Sequence, residues 1–363
     1  MRRRRRDVLL GVTAAVVAAG SLPAPAIAQG IKELKLVTSW PAGSIGLQTS
    51  AERLAQSITA MSDGRLKTTA YPGDSLVRPF EVFDAVGAGV ADMYHATDYY
   101  FVERSPALHF FAAIPYGMTA DELGSWIDFG GGQALCGMSW TPPFNIKPLM
   151  ALNTGVQMGG WFSKPVNNPG DFKGLRYRMP GLGAEVLRRM GAEVVMIPGS
   201  DIVQAFMSGS IDASEWVGPW IDMDLGLHKV ATHYYCPGFH EPGTNSTLGI
   251  NKTLWDGLPA SDRALIEAAA QAEVTRTLAE ANAENVKWLK VLRADTRIKI
   301  LQFSDALIKE FGKISKEVVA DTAARDPMTR KVADSYMAFL AGIMDWGELS
   351  ETGYRNTRRL ALA

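Results

Sequence analysis

The segment DFKGLRYRMPG, residues 171–181, contains a short strand that ends in a basic side chain. Its alternation predicts apolar side chains on one face of the strand and Arg176 and Arg178 on the other. A guanidinium at a strand end can hold a carboxylate through two parallel hydrogen bonds. Arg178 is therefore a candidate anion-binding residue, although a solvated surface arginine would produce the same pattern.

This segment belongs to the second of two series of alternating strands and helices. In the second series the pattern predicts strands over 175–179, 193–197 and 211–217 and helices over 183–190 and 201–207. In the first series it predicts strands over 31–39, 65–71 and 91–97 and helices over 45–61 and 79–87. Strand–helix alternation of this kind is typical of mostly parallel α/β sheets. Two such series predict an α/β protein of two lobes with a cleft between them, and interdomain clefts are preferred ligand sites.

The rest of the chain connects and extends these lobes. Residues 146–162 are extended and could pass from one lobe to the other, while helices are expected from 260 to the C-terminus with a break near 326–327. The amphipathic stretch 336–358 either packs on its own lobes or contacts a partner, such as a second copy. The predicted boundaries are 30–155 with 243–285 for lobe I, 156–242 with 286–325 for lobe II, and 326–363 for a C-terminal helical segment.

The N-terminal 28 residues have the organisation of an export signal. Five arginines at 2–6 precede an apolar stretch at 8–22, and Ala26-Ile27-Ala28 has the small-x-small pattern of a cleavage site. Residues 5–9, RRDVL, are similar to a twin-arginine signal, whereas an uncleaved anchor is the alternative. We therefore expect a periplasmic protein in an oxidising compartment, where pairing of Cys136 with Cys236 remains open.

Composition and motifs exclude several classes of function. The 37 basic and 38 acidic residues leave a formal charge of -1 with no pooled basic patch, so nucleic acid is not an expected partner. The chain has no G-x-S-x-G, P-loop or H-E-x-x-H motif, and Val186 interrupts a dinucleotide-binding pattern. His233, Cys236 and His240 lie close together in sequence, but a zinc site usually needs a second pair. No catalytic constellation is indicated.

Oxygen-bearing side chains lie at the ends of several predicted extended segments. Glu215 follows a strand, Glu241 lies in the turn HEPG, and Asn153 and Gln157 are four residues apart on one face of the central stretch. Carboxylate and amide oxygens together suit Na⁺ or Ca²⁺. Taken singly, each of these residues is more often a turn or core polar group.

Segment 171–181 resembles the D-x-K-G-L-x-x-R-x-P pattern of the DctP-type substrate-binding proteins of TRAP transporters. The resemblance extends from VFDAV (82–86) through GVADM (89–93), and from QAF (204–206) through GSIDASE (209–215). It covers essentially the whole chain after the export signal. It implies a two-lobed periplasmic binding protein fold with a cleft between the lobes and a long helical C-terminal region. It also implies that Arg178 binds the substrate carboxylate.

Three further segments resemble the branch that binds 2-oxo or 2-hydroxy monocarboxylates such as pyruvate and lactate. They are NTGVQ (153–157), EWVGP (215–219) and GFHEPG (238–243). That resemblance implies a metal ion, Na⁺ or Ca²⁺, that bridges substrate and protein. The implied metal ligands are Gln157, Glu215, Trp216 through its backbone carbonyl, and Glu241. The implied substrate contacts are Arg178, Asn153, Tyr100 and Gln157.

The resemblance implies capture of a small carboxylate, without chemistry on it, and delivery to a TRAP membrane permease. It also favours a homodimer through the C-terminal helix. One alternative is a dicarboxylate or aromatic acid bound without metal. Another is a periplasmic enzyme that uses a carboxylate pair such as Glu215 and Glu241. A third is a sensory role, which the sequence does not separate from transport. Four tryptophans could form an aromatic wall or belong to the core: Trp40, Trp161, Trp216 and Trp220.

Overall fold

The computed structural model describes residues 30–363, and in this range the strands form two separate sheets. The strands are β1 (Lys32–Thr38), β2 (Leu66–Tyr71), β3 (Met93–Ala96), β4 (Ile146–Asn153), β5 (Gly160–Phe162), β6 (Arg176–Arg178), β7 (Glu193–Val195), β8 (Ala213–Ser214), β9 (His233–Cys236), β10 (Asn245–Asn251) and β11 (Lys299–Gln302). The first sheet has the order β2-β1-β3-β10-β4, and the second has the order β11-β9-β5-β8-β6-β7. The predicted α/β class with two lobes is thereby confirmed.

Helices cover both sheets and form the C-terminal part of the chain. They are α1 (Gln48–Met61), α2 (Val82–Gly87), α3 (Leu108–Ala112), α4 (Ala120–Phe129), α5 (Gly132–Phe144), α6 (Gly181–Arg189), α7 (Ile202–Met207), α8 (Pro219–Leu225), α9 (Lys252–Gly257), α10 (Ala260–Ala294), α11 (Asp305–Ala323), α12 (Pro327–Leu349) and α13 (Glu351–Ala361). Within residues 30–363, no helix is both long enough and apolar enough to cross a bilayer.

The first sheet departs from the predicted parallel arrangement at one strand. β1 pairs in parallel with β2 and β3, but β10 lies antiparallel between β3 and β4. All seven residues of β10 are buried, so this strand lacks the alternation by which a half-exposed strand is recognised. At Gly249 a Cβ atom would lie 2.0 Å from the Tyr94 ring, so only glycine lets β10 approach β3 this closely.

The chain passes between the sheets three times: twice through short crossing segments, and once, from β10 to β11, through α9 and α10. The predicted extended stretch 146–162 is divided into β4 in the first sheet and β5 in the second, joined by residues 154–159. The chain returns through residues 237–244, between β9 and β10. The long helix α10 packs against both β4 and α8. The strands of each sheet fall within the residues predicted for one lobe, and the exact lobe boundaries stay a prediction.

Two local expectations differ from the structure in this part of the chain. The helices predicted after residue 260 are interrupted by β11, because Asp295 accepts hydrogen bonds from the backbone and side chain of Arg297 in a tight turn. The predicted strand over 211–217 is reduced to Ala213–Ser214, and the residues after it enter the region between the sheets. The break near 326–327 is confirmed, since Asp326 caps α12 by accepting from the Thr329 N–H.

Further predictions concerned the two ends of the chain and the two cysteines. The predicted export signal, residues 1–28, lies outside the described residues. Cys136 in α5 and Cys236 in β9 are free, so they do not form the disulfide that the sequence left open. In the C-terminal segment, Tyr336 is buried and its hydroxyl accepts from the Met118 N–H, whereas α13 has no buried residue.

Candidate functional site

Three backbone segments are held side by side between the two sheets. Gln157 lies on the first crossing segment and Glu241 on the second; the Gln157 N–H donates to the Glu241 carbonyl at 3.1 Å. The Gly238 N–H donates back to the Gln157 carbonyl at 2.8 Å, and the Met158 N–H donates to the Val217 carbonyl at 3.0 Å. These bonds bring residues 154–159, 215–218 and 237–244 together, although they are far apart in the chain.

A small cavity lies beside these segments. It is lined from both sheets, with Tyr100, Gln157, Arg178 and Trp216 among its walls. Its free volume is about 10 Å³, which is room for about one water molecule. Its walls must therefore move apart before a ligand can enter.

Arg178 lies at the end of β6 with its side chain only 1% exposed. One terminal nitrogen, Nη1, donates to Glu215 Oε1, and Nε donates to the Ile197 carbonyl at 3.1 Å. The guanidinium also lies 5.2 Å from the centre of the Trp216 ring. Its other terminal nitrogen, Nη2, is buried without a hydrogen-bond partner in the described part of the chain. Arg178 is thus a buried donor at the cavity wall, and Arg176 is the partly exposed arginine of this strand.

Gln157, Glu215 and Glu241 each present one buried oxygen without a hydrogen-bond partner among the described residues: Gln157 Oε1, Glu215 Oε2 and Glu241 Oε1. Their other polar atoms are occupied. Glu241 Oε2 accepts from Gln157 Nε2 at 2.7 Å and from the Tyr99 hydroxyl at 3.2 Å. A buried unpaired oxygen is costly, and three of them make a donor set suited to a hard cation. These residues therefore fit the ion that the sequence resemblance implied.

The ionisable groups of the site are strongly affected by burial. Burial raises the pKa of Glu215 to about 7, against the opposing effect of Arg178. Burial and then the charge of Glu215 raise the pKa of Glu241 to about 7. Burial also raises the pKa of Tyr100 to about 12, so its hydroxyl stays neutral and can donate a hydrogen bond. Arg178 pairs with Glu215, and its single positive charge leaves negative charge uncompensated when both carboxyl groups are ionised.

The remaining predicted residues have different surroundings. The Trp216 ring lines the cavity beside Arg178. The Asn153 side chain links the crossing segments: its Oδ1 accepts from the Gly155 N–H at 2.8 Å and its Nδ2 donates to the Gly243 carbonyl at 3.3 Å. Its role as a substrate contact stays a prediction. Trp161 stacks on Tyr234 in the core, whereas Trp40 lines the cavity.

Three residues of this site were not predicted to belong to it. The sequence grouped His240 with His233 and Cys236 as a weak zinc candidate, whereas the structure places it beside both glutamates. Tyr99 donates to Glu241. Asp222 accepts from the N–H groups of Val217 and Gly218 at 2.8 and 2.9 Å, so it holds the segment that follows Trp216. These contacts depend on long-range packing, for which one sequence carries no local signal.

Asp98 directly precedes Tyr99 and Tyr100, two residues that line the cavity. It is fully buried, and its carboxyl accepts from the Thr247 hydroxyl at 2.6 Å and from the Tyr94 hydroxyl at 3.4 Å. Burial raises the pKa of Asp98 from 3.8 to about 8. The folded protein therefore retains a proton over a pH range in which the unfolded chain has released it.

We expect this proton to make stability fall as pH rises from about 4 to about 8, because the unfolded state binds fewer protons across that window. Asp98→Asn imitates the protonated carboxyl and removes this dependence. Urea denaturation gives the free energies of unfolding of the variant and the parent. As pH rises across the window, the free energy of the variant minus that of the parent should increase by on the order of a few kcal/mol. A difference between the two proteins that stays constant with pH would contradict this assignment.

Comparison with known proteins gives consistent similarities. Residues 36–326 match the model of the family DctP, described as bacterial extracellular solute-binding protein, family 7. A monocarboxylate 2-oxoacid-binding periplasmic protein of Nostoc sp. is 34% identical over 360 residues, which cover 97% of this chain and 98% of that protein.

Solved structures are similar in both fold and sequence, among them the following two. A TRAP transporter solute-binding protein of Bordetella bronchiseptica, described as a mixed-occupancy dimer with copurified calcium and picolinate, has a TM-score of 0.89 at 30% identity, covering 92% of this chain and 98% of that one. A TRAP periplasmic solute-binding protein of Pseudoalteromonas atlantica with bound sodium and pyruvate has a TM-score of 0.87 at 30% identity, covering 90% and 99%.

Proposed function

We propose that this chain, which belongs to the DctP family of bacterial extracellular solute-binding proteins (family 7), binds a small 2-oxo or 2-hydroxy monocarboxylate together with a cation. One observation carries this proposal. Three buried oxygens without hydrogen-bond partners, from Gln157, Glu215 and Glu241, lie beside the buried guanidinium of Arg178, which has a free donor nitrogen.

Charge balance supports the cation. Ionised Glu215 and Glu241 carry two negative charges, Arg178 carries one positive charge, and a monocarboxylate adds one more negative charge. A divalent cation brings this sum to zero, and Na⁺ leaves one negative charge. Uncompensated buried charge is expensive, so the anion and the cation should enter the site together.

In this proposal some residues of the site bind the cation and others bind the carboxylate. Gln157 Oε1, Glu215 Oε2, Glu241 Oε1 and the backbone carbonyl of Trp216 would hold the cation. The bound cation would supply positive charge for a carboxylate oxygen and for the oxygen on the neighbouring carbon. Arg178 Nη2 and the Tyr100 hydroxyl would donate to the carboxylate, and Asn153 and Gln157 remain proposed substrate contacts.

The relatives support this choice of ligand. Pyruvate and picolinate both carry a donor atom on the carbon next to the carboxylate, so each can chelate one cation through two atoms. The structures that hold them contain sodium and calcium respectively. An aromatic acid is therefore a second candidate ligand, favoured by the ring surfaces of Trp40 and Trp216 in the cavity.

We further propose that the protein is periplasmic, carries out no chemistry on its ligand and delivers it to a TRAP permease. Two of its relatives are described as periplasmic, and the two similar structures are described as TRAP solute-binding proteins. The predicted export signal is consistent with this location.

The C-terminal helices favour a homodimer. Trp346 is 62% exposed and Leu349 is 78% exposed at the end of α12, and Leu360 is 79% exposed on α13. A second copy of the chain would cover these apolar side chains, and the similar Bordetella bronchiseptica protein is described as a dimer. The molecular mass in solution, measured by light scattering, tests this assembly.

Thermal unfolding with and without ligands tests the proposed function. We expect pyruvate, lactate and 2-oxobutyrate, and to a lesser degree picolinate, to raise the midpoint of unfolding in the presence of Ca²⁺ or Na⁺. At a concentration 100 times the dissociation constant a ligand adds about 2.7 kcal/mol, a shift of about 2–4 °C per kcal/mol at most for this size. A chelator, in sodium-free buffer, should abolish the shift.

Succinate and malate serve as controls in the same measurement. A shift with either of them that is independent of cations would contradict the proposed ligand and the cation site. Turnover of any acid, followed by chromatography, would contradict the proposed binding-only role.

A further inference from the structure

His240 lies between the two glutamates of the site, with both ring nitrogens buried and unpartnered among the described residues. Its side chain is 1% exposed. His240 Nε2 lies 3.6 Å from Glu215 Oε2 and 3.9 Å from Glu241 Oε1. These are the same two oxygens that have no hydrogen-bond partner. One donor atom from each of the three residues can be chosen so that all lie within 4.8 Å of one another.

The distances from His240 Nε2 to the two carboxylate oxygens fit ligands of one shared ion better than they fit hydrogen bonds. An N–H···O hydrogen bond joins atoms about 2.7–3.2 Å apart, which is shorter than either distance. Two ligands of one ion can be separated by up to twice the metal–ligand distance, about 4.0–4.4 Å for a zinc-like ion and about 4.6–5.2 Å for Ca²⁺. The imidazole and the two carboxylates therefore lie at the spacing of ligands around one cation.

The position of the imidazole is fixed by two glycines. A Cβ atom on Gly183 would lie 2.7 Å from the Cβ of His240, and a Cβ atom on Gly238 would lie 3.0 Å from its Cε1. The Phe239 ring stands edge-on to the imidazole with 5.5 Å between the ring centres. Any side chain at either glycine would displace the ring from the carboxylates, so this close packing holds His240 at the site.

We propose that His240 is a nitrogen ligand of the cation site, which makes the site able to hold a transition ion such as Mn²⁺ or Co²⁺. Carboxylate and amide oxygens suit Ca²⁺ and Mn²⁺, whereas imidazole suits transition metals and adds little for Na⁺ or Ca²⁺. The site therefore combines three oxygen ligands, from two carboxylates and one amide, with one imidazole nitrogen that suits transition metals. This inference rests on the proposed function, because it concerns the same cation site.

Pulsed electron paramagnetic resonance of the full-length protein loaded with Mn²⁺ tests the proposal directly. Coupling of the ion to a ¹⁴N nucleus is expected in the parent protein. It should disappear in His240→Gln, and Mn²⁺ affinity should fall by at least about tenfold, while pyruvate binding with Ca²⁺ changes less. His228→Gln is the matched control, because His228 is the more accessible imidazole on the same part of the chain and should leave the coupling unchanged.

The outcomes separate this inference from the proposed function. If the parent protein binds pyruvate with Ca²⁺ but its Mn²⁺ signal lacks ¹⁴N coupling, His240 is not a ligand and the proposed function stands. If the coupling persists in His240→Gln, the nitrogen comes from elsewhere and the inference is wrong. If no cation supports pyruvate binding in the parent, both are wrong. Labelling histidine with ¹⁵N in the parent protein replaces the ¹⁴N coupling only if the nitrogen belongs to an imidazole, and the ligand group contains His240. A variant that fails to fold therefore does not leave the question open.

Discussion

Arg178→Ala is expected to lower the affinity for the 2-oxo acid by at least about 30-fold. Truncating one partner of a buried, hydrogen-bonded charge pair costs about 2–5 kcal/mol. Arg178 is the buried cation that lines the cavity with a free donor nitrogen, so its loss leaves the acid without a positive partner from the protein. Isothermal titration calorimetry with pyruvate and Ca²⁺ measures this change.

Two further variants make the result interpretable. Arg176→Ala removes the neighbouring arginine of β6, which pairs with Asp212 at the sheet surface, and should leave affinity nearly unchanged. Arg178→Lys keeps the charge opposite Glu215 but loses the planar pair of donors, so its affinity should lie between those of the parent and the alanine variant. Parent-like affinity in a correctly folded Arg178→Ala protein would defeat the assignment of Arg178.

Glu241→Gln is expected to weaken Ca²⁺-dependent acid binding by at least about 30-fold and to reduce the preference for Ca²⁺ over Na⁺. The variant loses one of the two ionised ligands, again at about 2–5 kcal/mol for a buried charged contact. With only Glu215 left to balance Arg178, one monovalent cation is enough to neutralise the bound monocarboxylate. The affinity for pyruvate, titrated in calcium and in sodium buffers, gives both quantities.

The geometry explains why Glu241 is the better carboxylate to change. Glu215 also pairs with Arg178, so its replacement would alter the anion-binding residue at the same time. Glu241 instead accepts from Gln157 and Tyr99 through Oε2 and leaves Oε1 free. Glu193→Gln, an exposed change on β7, is the matched control. If the calcium dependence of Glu241→Gln equals that of the control, Glu241 is not a cation ligand.

Much of the fold could be predicted because its signals are local. The alternation of β1 and β2, the periodicity of α1 and the breaks between them arise within windows of a few residues, and the structure places these elements within three residues of their predicted bounds. The strands β9, β10 and β11 were missed. β9 and β10 are buried at nearly every residue and show no alternation, whereas β11 is a short edge strand in a stretch without glycine or proline.

The residues of the candidate site could also be predicted only in part from the sequence. Motif resemblance named Arg178, Gln157, Glu215 and Glu241, but it did not indicate His240 as part of the same cluster. The resemblance also named Asn153 as a substrate contact. In the structure its side chain is hydrogen-bonded to Gly155 and Gly243, which lie on the two crossing segments. A motif identifies residue types at given spacings, but it does not show which of their polar atoms already have hydrogen-bond partners in the fold.

The sequence by itself determined the α/β class, the two series of strands and helices, the family resemblance and the position of Arg178 at a strand end. These follow from short-range periodicity and from residue spacing. Only the tertiary structure decided that residues 154–159, 215–218 and 237–244 lie side by side, and that the free oxygens of Glu215 and Glu241 lie beside His240. The physical reason is that this arrangement depends on hydrogen bonds between residues far apart in the chain, such as Gln157 and Glu241, which are 84 residues apart.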